Sequence, residues 1–186
     1  MGRLTYGMMT SLDGYVNDPD GGFAWAEPDE ATHRFANERE REVGTFLYGR
    51  RMFEVMRVWA DDEALAGASA YEWEYANIWR AATKVVYSSC LDESMPERTS
   101  VRRRFDPESV RSLKESSDKD LAVAGPGLAA QMLRADLVDE ISVYVVPIVV
   151  GGGTRFLPDG ISLDLALEEV RRFDSGFAYL RYTVRH

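Results

Sequence analysis

The sequence predicts an α/β fold in which a mainly parallel sheet carries helices on both faces and ends in an antiparallel hairpin. Apolar runs of strand length alternate with helical patterns, and the connections between them are too long for hairpins until the C-terminus. The chain has 186 residues, 45% of them hydrophobic, which is enough to build a core without a disulfide or a structural metal. No repeat or flexible linker divides the sequence, so we predict a single domain over residues 1–186.

The N-terminal part predicts a strand, a long loop and a helix. Residues 4–9 form a short apolar run, followed by turn-forming residues that include Gly14. The segment from Gly14 to Trp25 is polar and rich in glycine, which indicates a long mobile loop. Pro28 and the acidic residues after it are typical of a helix start, so we predict a helix over residues 29–43.

Two later strands run into glycine and then into a helix. The run 45–48 leads through Gly49 into one helix, and the run 121–124 leads through Gly125 into another. Because ligands of parallel sheets bind beyond the carboxyl ends of the strands, these turns are candidate binding elements. The further predicted elements are helices over 52–56, 71–79, 107–116 and 128–134 and strands over 84–88 and 101–105.

The C-terminal part predicts the antiparallel edge. Residues 140–150 form the longest β-branched run of the chain and predict a strand that ends at Gly151. Residues 163–173 fit either an amphipathic helix or an irregular strand. Residues 176–185 alternate as a strand does, and we favour a terminal hairpin with its turn at residues 174–176.

Composition excludes several classes of function. The net charge is −9 and the pI is about 4.8, which argues against nucleic-acid binding because that function draws on a basic face. With one cysteine, Cys90, and two histidines, His33 and His186, the sequence predicts no disulfide framework and no metal site. Neither Cys90 nor His33 has a sequence neighbour that suggests catalysis. No signal peptide and no apolar stretch of ~20 residues is visible, so we expect a cytoplasmic protein that does not bind membranes.

The two glycine turns are candidate phosphate sites. At Gly49-Arg50-Arg51 a helix N-terminus is combined with two guanidinium groups, and a second helix start follows Gly125. Each turn alone is more simply explained as a strand-to-helix connection that needs glycine. Two such turns in one sheet make a dinucleotide plausible, although no GxGxxG or GxxxxGK motif is present.

Two other segments allow both a structural and a functional interpretation. A carboxylate at Asp29 or Glu30 stabilises a helix start, but one that points into an apolar cleft would have a raised pKa and serve as a proton donor. The hydroxyls of Ser88 and Ser89 either cap a turn or bind a phosphate. The run Arg102-Arg103-Arg104 is most simply a solvated edge.

Four motifs together resemble the dihydrofolate reductase superfamily, and most closely its branch that contains the reductase domain of riboflavin biosynthesis. The resemblance covers nearly the whole chain. It implies a dihydrofolate reductase-like three-layer fold with a mainly parallel mixed sheet. The motifs are Met9 to Val16, Leu47 to Glu54, Val85 to Ser89, and Leu137 to Glu140 followed by Pro147 to Gly153.

The resemblance also implies NADPH as the cofactor and assigns residues to it. The nicotinamide would lie beside Met9 and Val16. Glu30 corresponds to the single acid that faces the pterin in dihydrofolate reductases, with Asp29 as the alternative. The pyrophosphate is assigned to Gly49, Met52, Gly125, Pro126, Gly127 and Leu128, the ribose phosphate to Arg50, Arg51, Ser88 and Ser89, and the substrate to Trp25, Phe53 and Met56.

The chain departs from the family pattern in two places. Met52 replaces a threonine, which removes a hydroxyl from the pyrophosphate site. Gly125-Pro126 replaces a Gly-Gly pair that has an unusual cis peptide in the family. Because proline lowers the cost of a cis bond from ~3 kcal/mol to under ~1 kcal/mol, we predict a cis Gly125–Pro126 bond.

The resulting hypothesis is an NADPH-dependent reductase that transfers hydride to a C=N or C=O bond of a small pterin-, pyrimidine- or ribityl-type substrate. The resemblance points to an activity like that of 5-amino-6-(5-phosphoribosylamino)uracil reductase, with the loop from Gly14 to Trp25 closing over the cleft. Two alternatives stay open: a non-catalytic dimeric nucleotide-binding module, and a reductase that uses a deazaflavin. The resemblance also implies a homodimer formed through the C-terminal strands.

Overall fold

The computed structural model describes residues 1–91 and 95–186 and contains one eight-stranded sheet with the strand order β4-β3-β2-β5-β1-β6-β8-β7. The strands are β1 (Leu4–Thr10), β2 (Val43–Gly49), β3 (Thr83–Tyr87), β4 (Thr99–Arg102), β5 (Asp120–Ala124), β6 (Glu140–Val145), β7 (Asp164–Arg172) and β8 (Ala178–Arg185). The helices are α1 (Glu30–Glu40), α2 (Arg50–Met56), α3 (Ala70–Ala81), α4 (Pro107–Ser116) and α5 (Pro126–Arg134).

The strand directions confirm the predicted fold class. Strands β1 to β6 pair in parallel, whereas β8 is antiparallel to both β6 and β7. The ambiguous residues 163–173 form strand β7, and the turn before Gly176 closes the predicted hairpin. Strand β7 is an edge of the sheet and exposes Leu167 and Val170; dimerisation through these strands stays a prediction.

Three predicted elements end three or more residues earlier than expected, and one of them is β4, which covers Thr99–Arg102 rather than residues 101–105. Strand β6 ends at Val145 rather than Val150, because the chain leaves the sheet through Pro147 and turns toward the loop after β1. Helix α1 ends at Glu40 rather than Val43, since Val43 is already the first residue of β2. No helix in the described part of the chain is long and apolar enough to span a membrane.

Helices cover both faces of the sheet. Alternation along β2 directs Leu47 to one face and Phe46 and Tyr48 to the other. The first face packs against α4 and α5, through Val110 and Met132 among others. The second face packs against α2 and α3, and α1 covers the neighbouring cluster around β6 and β8.

The direction of the connections decides which helix ends lie near the candidate site. Helices α2 and α5 directly follow β2 and β5, and α1 leads back to the start of β2, so these three helices begin at the carboxyl edge of the sheet. Helix α1 begins at the N-cap Asp29, and α3 begins with a capping box between Ser69 and Glu72. The first turns of α1, α2 and α5 therefore lie at the carboxyl edge.

Candidate cofactor and active site

The two glycine turns contact each other at the carboxyl edge of the sheet. Strands β2 and β5 are neighbours, with Tyr48 paired to Ala124. A Cβ atom added to Gly125 would lie 3.0 Å from the Cβ of Met52, and one added to Gly49 would lie 3.9 Å from the Cβ of Leu128. Each turn therefore packs against the first residues of the other helix. Neither α2 nor α5 has a side-chain cap, so their first backbone amides can bind an anion.

The Gly125–Pro126 peptide bond is trans, and the predicted cis bond is wrong. Gly125 has φ +97° and ψ 124°, a conformation that glycine adopts without steric penalty. This conformation turns the chain from β5 into α5 with a trans bond, and Pro126 occupies the first turn of the helix, where its missing N–H costs nothing. Met52, which occupies the position of the family's threonine, packs closely against Gly125.

Arginines lie on the side of the Gly49 turn in an otherwise acidic chain. Arg50 and Arg51 are exposed on the first turn of α2, where Arg50 pairs with Glu54 at 3.0 Å. Gly49 pairs with Tyr87 of β3, and Tyr87 pairs with Arg102 of β4. The basic residues of α2 and of β4 thus lie along the same edge of the sheet.

The segment after β3 is a hydrogen-bonded turn. The Ser88 hydroxyl oxygen accepts from the backbone N–H groups of Leu91 at 3.0 Å and Cys90 at 3.4 Å. Arg103 Nη1 donates to the carbonyls of Ser89 at 3.3 Å and Leu91 at 3.0 Å. The buried Ser88 therefore caps the turn, while Ser89 is exposed; a phosphate-binding role for either serine stays a prediction.

The nicotinamide and substrate candidates are distributed over three apolar clusters. Met9 and Trp25 pack against the cluster around Phe35, whereas Val16 packs against the opposite face of the sheet. Met52 and Met56 border a third cluster, in which Phe53 is fully buried beside Tyr48. Met9 and Trp25 thus border one cluster and Val16 another, and the assignment of the nicotinamide to Met9 and Val16 stays a prediction.

The first half of the predicted mobile loop is fastened to the glycine loop after β6. The Asp13 carboxylate accepts from the backbone N–H groups of Val150 at 3.2 Å and Gly151 at 2.8 Å. The Asn17 side-chain oxygen accepts from the Thr154 N–H at 2.7 Å, and the Val16 N–H donates to the Thr154 carbonyl at 2.9 Å. Any closing movement is therefore expected in the residues after Asn17.

The two candidate acids are held in exposed positions. The Asp29 carboxylate accepts from both the backbone N–H and the hydroxyl of Thr32, and these bonds lower its pKa. The Glu30 side chain pairs with Arg34 at 2.8 Å and is 61% exposed. Neither carboxylate points into an apolar cleft; their catalytic assignment stays a prediction.

Sequence reasoning missed the inner face of α1, which lies between these acids and the core. His33, Asn37 and Glu40 follow one another at the helical spacing of four and three residues. Each has a polar atom that is buried without a hydrogen-bond partner in the described part of the chain. The spacing was visible in the sequence, but burial of this face by α3 was not.

The fold is an α/β domain in which two glycine turns contact each other at the carboxyl edge of the sheet. The chain belongs to the RibD C-terminal domain family, whose sequence model matches residues 3–179. The Bacillus subtilis (strain 168) protein YyaP is 24% identical over 184 residues, covering 97% of this chain and 94% of YyaP.

Solved structures support the same fold. A putative riboflavin biosynthesis protein from Shewanella sp. PV-4 has a TM-score of 0.74 at 20% identity, with both chains fully covered. A dihydrofolate reductase from Enterococcus faecalis, solved in complex with NADP(H), has a TM-score of 0.61 at 13% identity, covering 100% of this chain and 98% of that one. The predicted dihydrofolate reductase-like fold is thereby confirmed.

Proposed function

We propose that this protein is an NADPH-dependent reductase that transfers hydride to a C=N or C=O bond of a small heterocyclic or ribityl-bearing substrate. The observation that carries the proposal is the contact between two uncapped helix N-termini at Gly49 and Gly125. A pyrophosphate can accept hydrogen bonds from both helix starts at once, and both macrodipoles favour its charge. Membership of a reductase-domain family supports this assignment.

The remaining residues fit the other parts of the cofactor. Arg51 and Arg102 lie on the edge that would receive a ribose phosphate, and guanidinium groups bind phosphate in a bidentate manner. Met9 and Trp25 provide an apolar surface for a flat ring. When bound, NADPH supplies the hydride; the chain's own residues bind it, orient it and shield the reacting bond from water.

Replacing Arg51 with glutamine is expected to weaken NADPH binding about tenfold and to change NADH binding little, because a charge-assisted hydrogen bond contributes about 1.5 kcal/mol or more. Titration of both cofactors into the wild type and the variant measures this selectivity. Arg111→Gln on α4, which removes the same charge from the other helical layer, is the control. If the ratio of NADPH affinity to NADH affinity is the same in Arg51→Gln as in the wild type, Arg51 does not bind the ribose phosphate.

Reductase activity is tested by incubating the protein and NADPH with a panel of pterins, aminopyrimidines and phosphoribosylamino-pyrimidines. The loss of NADPH absorbance and the mass of the products are followed. We expect oxidation of NADPH that depends on one substrate class and a product that is heavier by two hydrogens. Binding of NADPH without its oxidation by any substrate of the panel would favour a non-catalytic nucleotide-binding module. Tighter binding of a deazaflavin than of NADPH would show that the cofactor is a deazaflavin.

A further inference from the structure

The inner face of α1 carries a row of three polar side chains, each with one buried atom that no described group hydrogen-bonds. The unpartnered atoms are Nδ1 of His33, Oδ1 of Asn37 and Oε2 of Glu40, judged over residues 1–91 and 95–186. Buried polar atoms in native proteins are nearly always hydrogen-bonded, because an unmade bond costs about 1–3 kcal/mol. Three such atoms on one helix face indicate a site that binds water or substrate.

Glu40 is the titratable group at the inner end of this row. Helical side chains point back toward the N-terminus, so the carboxyl group reaches away from the surface at the end of α1. Burial raises its pKa to about 7. Burial raises the pKa of Tyr48 on β2, Tyr75 on α3 and Tyr144 on β6, and the nearby Glu40 carboxylate raises each of them further. Other charged side chains lie close to these tyrosines. Arg39 and Glu169 lie near Tyr144. Glu74, on the same helix as Tyr75, pairs with Arg34 and Arg41.

His33 is at the outer end of the row, on the first turns of α1 and hence near the carboxyl edge. Its ring lies 5.0 Å from Tyr71, 6.0 Å from Tyr75 and 6.4 Å from Trp59, measured between ring centroids. Trp59 follows directly after α2, the helix that begins at Gly49. Burial lowers the pKa of His33, an effect opposed by the Asn37 side chain and by the carboxylates of Glu72 and Glu74.

Asn37 connects the two titratable groups. Its side chain is fully buried, and Nδ2 donates to the Tyr71 carbonyl at 2.9 Å and to Glu74 at 3.0 Å. These bonds fix the amide and leave Oδ1 within the row. Successive positions on a helix face are about 5–6 Å apart, a distance that one bridging water spans with two hydrogen bonds of about 2.8 Å each.

We propose that His33, Asn37 and Glu40 supply the proton that accompanies hydride transfer, with Glu40 as the store and His33 as the group that contacts the substrate. This assignment rests on the proposed reductase function. NADPH would supply the hydride to the carbon of the C=N or C=O bond, and His33 would give a proton to the nitrogen or oxygen atom that receives the electron pair of that bond. Because its lowered pKa keeps His33 neutral, its Nδ1 accepts a proton that Glu40 sends through the row while the other ring nitrogen gives up its own proton, and solvent then reprotonates Glu40. NADPH is oxidised to NADP⁺ and the substrate is reduced by two electrons.

The decisive variant is Glu40→Gln, which keeps the size of the side chain and removes its titration. Because wild-type Glu40 loses its proton above neutral pH, we expect the wild-type hydride-transfer rate to fall as the pH rises through about 7. Glu40→Gln is expected to be slower by about tenfold or more at neutral pH, to lose this pH dependence and to keep its affinity for NADPH. Asn37→Leu is expected to slow the reaction in the same way. Glu38→Gln, exposed on the same helix, is the control.

Thermal unfolding gives a readout that does not depend on activity. A carboxyl with a folded pKa of about 7 and an unfolded pKa of about 4.3 contributes stability that is present below the unfolded pKa and is lost as the pH rises through the folded pKa. The melting temperature of the wild type should therefore fall relative to that of Glu40→Gln between about pH 5 and pH 8. If the melting temperatures of the two proteins change with pH in the same way, Glu40 does not titrate in this pH range and the proposal is overturned.

The outcomes separate this proposal from the proposed function. An active wild type with an unchanged rate and pH profile in Glu40→Gln overturns the proton row alone. If Glu30→Gln slows hydride transfer and Glu40→Gln does not, Glu30 is the proton donor. Failure of the wild type to transfer hydride to any substrate overturns both.

Discussion

Replacement of Gly153 with alanine is expected to destabilise the protein by about 3 kcal/mol or more. Gly153 has φ +121°, and an added Cβ would lie 2.0 Å from the carbonyl oxygen of Asn17. The conformation alone costs a non-glycine residue about 1–3 kcal/mol, and the clash forces the loop after β1 away from the glycine loop. The hydrogen bonds between Asn17 and Thr154 and between Val16 and Thr154 would then be lost, at about 1 kcal/mol each.

The matched control is Gly151→Ala in the same loop. Gly151 also has a positive φ, +76°, but an added Cβ would meet no atom within 4 Å. This variant therefore carries only the conformational cost of about 1 kcal/mol. Chemical denaturation of both variants measures the difference. Equal losses of stability would show that the loop after β1 does not depend on its close contact with Gly153.

Replacement of Lys84 with methionine is expected to cost about 3 kcal/mol of stability. Lys84 is 1% exposed, and its Nζ donates to the carbonyls of Trp79, Arg80 and Ala82 at 3.1, 3.3 and 2.9 Å. These carbonyls belong to the last turn of α3 and to its C-cap residue Ala82, a helix end that a cation stabilises. The ammonium group also lies 4.4 Å from the ring centroid of Trp79. Methionine keeps the aliphatic volume but leaves the carbonyls without this donor.

Lys119→Met is the control for this substitution, because Lys119 is exposed and surface changes of this kind usually alter stability by less than about 0.5 kcal/mol. Burial lowers the pKa of Lys84 to about 8, so the side chain is still mainly protonated at pH 7 and serves as a cation there. Denaturant unfolding at neutral pH compares the two variants. If Lys84→Met loses no more stability than Lys119→Met, Lys84 does not stabilise the C-terminal end of α3.

Local signals predicted most of the fold. Helix α4 has the predicted bounds because Pro107 and the N-cap Asp106 mark its start. The sequence alone does not show whether residues 163–173 form a strand or a helix, because the register of β7 against β8 shifts between Leu167 and Glu169. Such a shift breaks the two-residue alternation that distinguishes a strand from a helix.

The candidate site was predictable only where it is local. The glycine turns at Gly49 and Gly125 follow from sequence, because a strand, a glycine and a helix are adjacent in the chain. The trans bond at Gly125 depends on a positive φ that the sequence allows but does not require. The attachment of Asp13 to Val150 joins residues far apart in sequence, and the burial of Glu40 depends on helix α3. These contacts arise from tertiary packing and have no local signal.

The most direct test of the account is a titration of the purified protein with NADPH and NADH, followed by tryptophan fluorescence. Trp25 lies in the same apolar cluster as Met9, beside the expected position of the nicotinamide, so binding should quench its emission. The account predicts saturable quenching by NADPH at concentrations at least about tenfold below those needed with NADH. No saturable binding of NADPH, or equal affinity for the two cofactors, would contradict the assignment of the paired glycine turns and their arginines to this cofactor.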